Sequence, residues 1–138
     1  MISPLENLVG SGILHGEPPD RAEYAGLLAS GRVRLGDAVN AALALESRFD
    51  LAYNAAHALC LAALRRAGYR STNRYVVFQV LPHTLGLGPE VWRILAKAHE
   101  VRNDAEYEGY LDVEETLVRD LIGAARVVAS ALEALPAL

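Results

Sequence analysis

Asn73-Arg74-Tyr75-Val76-Val77-Phe78-Gln79-Val80-Leu81 is the stretch on which the fold class turns. β-Branched and aromatic residues dominate it, and such residues favour the pleated, half-buried surface of a strand. A strand needs a partner, however, and no second segment of the 138-residue chain reads convincingly as one. The segment is therefore expected to be helical, and the whole chain all-α. Pro82 and the run Gly86-Leu87-Gly88-Pro89 then form a turn, with Pro89 suited to a first helical position, where a missing N–H is harmless.

The flanking segments carry helical periodicity. Residues 20 to about 44 place Tyr24, Leu27, Leu28, Leu35, Val39 and Leu43 mostly at three- and four-residue steps. Gly26, Gly31 and Gly36 interrupt this helix at roughly 1 kcal/mol each against alanine, a sign of close contact with a neighbouring backbone. Residues 48 to 67 are apolar nearly all round, from Phe49 to Leu64, as expected of a central helix covered on most sides, and Gly68 stops it. Ser47 and Asp50 match a capping box at its start. Its one polar stripe is Glu46, Asp50, Asn54 and His57, spaced by four, four and three and so sharing a face.

A fourth helix is expected from 89 to about 107, with Val91, Ile94, Leu95, Ala98, Val101 and Ala105 on one face and Gly109 at its end. Asp112 and Glu115 give a second capping pattern, after which Leu117, Leu121, Ala124, Val128, Ala131, Leu132 and Leu135 trace a fifth helix to near Pro136. Short links between long amphipathic helices imply an up-down antiparallel bundle of four to five helices. Residues 1–19 hold Gly10, Gly12, Gly16, Pro18 and Pro19 and read as an N-terminal arm, with room for a short helix after Ser3-Pro4. The bundle domain is expected to occupy 20–138.

The length suits one domain that can bury a core without metals or disulfides. Cys60, the single cysteine, lies in an apolar run and reads as a small buried hydrophobe in a chain suited to a reducing, cytoplasmic compartment. No run approaches the ~18 apolar residues of a membrane span, and no export leader is expected. The net charge of −4 argues against a surface built for general duplex DNA binding. The charge is uneven: residues 48–74 hold five arginines and one acid, residues 100–120 eight acids and two arginines. Arginine supplies twelve of the thirteen basic residues, a bias that fits phosphate recognition and that a GC-rich genome also produces.

Motif chemistry is mostly excluded. There is no Glu-x-x-His, no paired-cysteine zinc pattern and no phosphate-cradling glycine loop. Nothing in the spacing of His15, His57, His83 and His99 makes them converge, so neither a metal nor a cofactor is expected. What remains is Arg102-Asn103-Asp104-Ala105-Glu106-Tyr107 at the end of the fourth helix. At helical spacing His99 neighbours Arg102 and Asn103, Arg102 neighbours Glu106, and Asn103 neighbours Tyr107. The plainest reading is a solvated Arg102–Glu106 pair worth at most about 0.5 kcal/mol, with Tyr107 over the bundle end.

Three pieces together carry a family resemblance: Arg-Phe-Asp-Leu-Ala-Tyr-Asn-Ala-Ala-His-Ala-Leu at 48–59, Gly68-Tyr69-Arg70, and Val101-Arg102-Asn103-Asp104-Ala105-Glu106-Tyr107. In their order and spacing the chain resembles the HEPN superfamily over nearly all of residues 20–135. The resemblance implies a usually dimeric helical bundle, of a kind that is often a metal-independent endoribonuclease. The family's catalytic pattern is an arginine, a polar residue after it, and a histidine five to seven positions beyond the arginine. By resemblance Arg102 contacts the scissile phosphate and Asn103 orients groups in a cleft shared by the dimer. The histidine is absent, since Tyr107, Glu108 and Gly109 fill its window and no histidine follows His99. A phenol titrating near 10 is a poor base at neutral pH, where an imidazole serves well.

Three readings follow. The first is a non-catalytic HEPN-like homodimer, within a toxin–antitoxin or defence-type module, that binds RNA, a nucleotide or a nucleotidyltransferase partner. In this reading Arg65, Arg66, Arg70 and Arg74 around Tyr69 form a phosphate-contacting patch beside Arg102 and Asn103. The second is an active metal-independent ribonuclease in which His57 or His99 supplies the missing imidazole. The third is an interaction subunit whose polar helix end shapes a dimer contact.

Overall fold

The fold comes from a computed structural model that describes residues 2–138. It is an all-α bundle through which the chain runs up and down. Four long helices build it: α2 (Arg21–Ala38), α3 (Leu45–Arg66), α6 (Pro89–Glu108) and α7 (Glu115–Glu133). Three short helices accompany them, α1 (Pro4–Gly10), α4 (Arg74–Gln79) and α5 (Leu81–Thr84). Two-residue strands β1 (His15–Gly16) and β2 (Tyr69–Arg70) pair antiparallel, His15 opposite Arg70. Among the described residues no helix is long and apolar enough to cross a membrane.

The all-round apolar reading of α3 explains its place. Phe49, Ala52, Tyr53, Ala55, Ala56, Leu59 and Leu64 are fully buried, and α3 contacts α2, α4, α5, α6 and α7. Small alanines let neighbours approach closely. At Gly31 of α2 an added Cβ would meet Leu59 Cγ at 2.6 Å and the Ala55 carbonyl oxygen at 3.3 Å, so only glycine admits α3 here. Gly26 and Gly36 have open space around them and no such role.

The 73–81 segment is helical, as expected, but in two short pieces. Asn73 Oδ1 accepts from the Val76 amide at 3.2 Å and starts α4. Val76, Val77, Phe78, Val80 and Leu81 then go into the core, so the strand-favouring side chains serve as packing units on a helix. α6 starts with Pro89 at its first position and ends at Gly109, whose φ of +79° is a left-handed cap that lets the chain turn away.

Three expectations need correction. The Ser47–Asp50 capping box does not form, because α3 begins earlier, at Leu45, with Ala44 before it and no side-chain cap. Asp112 and Glu115 likewise make no cap; α7 starts after Glu114, again without a side-chain bond. The arm is not separate from the core. Leu5 and Leu14 are buried in it, at about 2 kcal/mol per leucine, and the Glu17 amide donates to the Gly68 carbonyl at 3.0 Å. Asp20 marks the start of α2, where its carboxylate caps Ala22 and Glu23, rather than the edge of the folded unit.

Candidate functional site

The fold brings the polar end of α6 against the stripe on α3 and the start of α4, with Tyr53 at the centre. The Tyr53 ring is fully buried, between Phe49 (ring centroids 6.3 Å apart) and an edge of Phe78 (5.8 Å). Its hydroxyl lies 2.9 Å from His99 Nδ1, and Asn103 Nδ2 lies 3.1 Å from His99 Nε2. With the amide donating to Nε2, the imidazole proton sits on Nδ1 and is donated to the tyrosine oxygen. The three groups lock the ring orientation.

Two guanidiniums share the Tyr53 ring, Arg102 at 4.9 Å and Arg74 at 5.6 Å from its centroid. Such cation–π contacts are worth ~0.5–2 kcal/mol and hold both arginines in place. Arg74 also donates to Asn54 Oδ1 at 3.2 Å, the polar stripe's contribution to the site. Among the described residues Arg74 has no carboxylate within ion-pair distance, and Arg102 has only Glu106, at 3.7 Å on an exposed flank. The cations are therefore weakly neutralised.

This positive field acts on both imidazoles. Burial, then Arg74, Arg102 and His99, push the His57 pKa down to about 4. His99 is also lowered, by burial first and then by Arg102 and Arg74, against a small opposing pull from Glu106. Both rings are neutral at pH 7. Both rings stand T-shaped to Phe78, His57 at 6.1 Å and His99 at 6.3 Å, and His99 also lies 5.9 Å from Tyr75. His99 and Asn103 edge a cavity of about 550 Å³ shared with Tyr75, Arg93, Lys97, Glu100 and Asp104. On its other flank Arg102 faces a groove of about 290 Å³ lined by Glu46, Asp50 and Glu106. Arg102 thus opens onto these acids, while the cavity edged by His99 and Asn103 takes its cations from Arg93 and Lys97.

Tyr107 stands apart from this cluster. Its side chain is 92% exposed, because five residues on a regular helix turn it about 140° away from Arg102. The four-arginine patch is also dispersed. Arg65 is 2% exposed and donates inward to the carbonyls of Glu17 (2.9 Å), Pro18 (2.7 Å) and Tyr69 (3.2 Å), while pairing with Glu17 and Glu23. Arg70 pairs with the same two glutamates, and Arg66 lies over the Tyr24 ring with Nη1 out of solvent. Of the four, only Arg74 reaches the candidate site. Sequence reasoning missed Tyr53, whose one available signal was its four-residue spacing from Phe49 and His57 on the central helix.

Cys60 is buried and its thiol pushed far up by burial, which leaves it inert packing. Among the described residues no three His, Cys, Asp or Glu side chains gather as metal ligands would. No protein-family model, no curated protein and no solved structure matches this chain.

Proposed function

We propose that the protein is an RNA-binding HEPN-like helical bundle that grips phosphate through Arg102 and Arg74, with Asn103 and His99 beside them, and that acts as a homodimer. The observation that carries this reading is the convergence of two weakly neutralised guanidiniums from α4 and α6 on one buried ring, Tyr53. Arginine forks suit phosphate oxygens, and side chains already held in place lose little entropy on binding. Tyr75, 39% exposed beside His99, offers a face for a nucleobase to stack on. The resemblance to HEPN domains supports single-stranded RNA over other anions, with a nucleotide or a nucleotidyltransferase as the competing partner.

Fluorescence anisotropy with a labelled single-stranded RNA, repeated across salt concentrations, tests the reading. Arg74→Ala and Arg102→Ala should each weaken binding by about tenfold or more and flatten the log–log salt dependence by roughly 0.7 per lost phosphate contact. Binding indifferent to both substitutions and to salt would sink the proposal. Light scattering of the native protein checks the dimer, and a monomer at micromolar concentration would remove that part.

One observation favours a second reading, ribonuclease activity with His99 as the base. The ring is neutral at pH 7, fixed by Tyr53 and Asn103, and adjacent to both arginines. With the Asn103 amide turned off Nε2, that nitrogen would take the proton of a ribose 2′-hydroxyl as its oxygen attacks the adjacent phosphorus; the P–O5′ bond breaks, the imidazolium returns the proton to the departing 5′-oxygen, and a 2′,3′-cyclic phosphate remains. His57 is a poor alternative, because burial and the neighbouring arginines lower its pKa to about 4 and make it a weak base. The discriminating assay is cleavage of labelled RNA in chelator: loss in both His99→Ala and Arg102→Ala supports catalysis, and intact RNA with the wild-type protein leaves binding alone.

A further inference from the structure

A second cluster of cations lies outside this site, where the C-terminal end of α2, the first turn of α3 and the N-terminal half of α7 meet. They enclose a cavity of about 410 Å³ lined by Val39, Arg48, Glu115, Arg119, Ile122, Gly123 and Arg126. On α7 these residues recur at three- and four-residue steps, so they form one continuous stripe. Three arginines face one glutamate there. Among the described residues no carboxylate lies within ion-pair distance of Arg48, Arg119 or Arg126, Glu115 included. Arg48 is itself oriented, because its Nε donates to the Ala38 carbonyl at 2.9 Å at the end of α2.

Gly123 lies among these arginines. It sits inside α7, where glycine costs roughly 1 kcal/mol against alanine. As at Gly26 and Gly36, a Cβ there would meet nothing within 4 Å and its φ is not positive; at Gly123 alone of the three that open space belongs to a cavity lined by arginines. The open space above Gly123 is the floor of the cavity, and Ile122 and Val39 add apolar surface beside it. The site thus offers guanidiniums for a dianion and a side-chain-free, partly apolar floor for the body that carries it.

We propose that this cavity binds a small organic phosphomonoester, its phosphate held by Arg48, Arg119 and Arg126 and its apolar body laid over Gly123 against Ile122 and Val39. Guanidinium forks match phosphate oxygens, and three of them answer a dianion's charge with Glu115 left at the rim. The volume accommodates a phosphate with a body the size of one aromatic ring or one sugar.

Phenyl phosphate and inorganic phosphate serve as probes, titrated into the full ¹⁵N-labelled chain. The Gly123 backbone amide and the Nε–H groups of Arg48, Arg119 and Arg126 report occupancy at this site and not at the Arg102 site. Phenyl phosphate should shift these signals saturably and bind at least about tenfold more tightly than inorganic phosphate. Arg119→Gln and Arg126→Gln, both at exposed positions, should each weaken it by about tenfold or more, since each removes charge-assisted hydrogen bonds. Gly123→Leu keeps every charge, improves helix propensity and fills the floor, so it should abolish phenyl phosphate binding with the circular dichroism spectrum unchanged. Absence of saturable shifts, equal affinity for the two probes, or undiminished binding in Gly123→Leu or in both arginine variants would overturn the proposal.

Discussion

Replacing Arg65 with methionine separates two views of the arginine cluster after α3. If Arg65 served phosphate binding, the substitution would weaken RNA affinity and leave the fold alone; the structure requires the reverse. Arg65 is 2% exposed and supplies donors to three backbone carbonyls, of Glu17, Pro18 and Tyr69, besides its pairs with Glu17 and Glu23. Methionine fills much of the volume but donates nothing. Hydrogen bonds from a charged donor contribute ~1.5–3 kcal/mol each, and breaking a buried ion pair from one side costs ~3–5 kcal/mol, terms that overlap because one group makes them all. The glutamates keep Arg70 and are 47% and 33% exposed, so water recovers part of that loss. The net destabilisation comes to about 3–5 kcal/mol, roughly a 10–15 °C fall in Tm for a domain of this size. Urea denaturation followed by circular dichroism, with the slope unchanged, measures it. Arg65→Lys should recover only part, because one ammonium cannot replace a fork that reaches three carbonyls. Stability within about 0.5 kcal/mol of wild type, coupled to a fall in RNA affinity, would refute the reasoning.

Other consequences are equally open to measurement. Gly31→Ala drives a methyl against Leu59 and should cost about 1–3 kcal/mol, while Gly36→Ala, with open space around it, should stabilise by up to about 1 kcal/mol; equal effects would contradict the close α2–α3 approach. His57 has a folded pKa of about 4, below its ordinary 6.5, so the stability it contributes is full above 6.5 and is lost as pH falls toward 4. That part of the acid sensitivity should vanish in His57→Gln, read from urea midpoints between pH 7 and 4. Glu17 and Glu23 are lowered by Arg70 and then Arg65, so the arm's attachment is complete above their ordinary 4.5 and fails as pH drops through the lowered values. Hydrogen exchange at β1 should quicken there before α3 does. Tyr107→Ala should change neither stability nor RNA affinity beyond error, given its exposure.

The helices were legible because their signals are local. Apolar periodicity marked α3, α6 and α7, and Pro89 and Gly109 bounded α6 where expected. The ends of α3 and α7 were misplaced because capping patterns compete with propensity, and here both helices start without a side-chain cap. At the site, spacing along α6 correctly joined His99 to Asn103, a contact four residues apart. It could not foresee Tyr53, which is 46 residues from its partner His99, nor the 42 residues between Arg65 and Glu23. Long-range partners decide whether an arginine is free to bind or already occupied. That is why four arginines within ten residues looked like one patch and proved to have separate duties.

The docked arm has a bearing on how the chain is made. β1 and the carbonyls of Glu17 and Pro18 find partners on α3's last turn and β2, with 48 residues between Glu17 and Arg65, and Leu14 is buried in the finished core. Once it has left a ribosome, this segment must therefore wait, unsatisfied, until that turn emerges. A partner that captured residues 5–16 during this interval would meet an exposed leucine-bearing strip that the finished fold conceals.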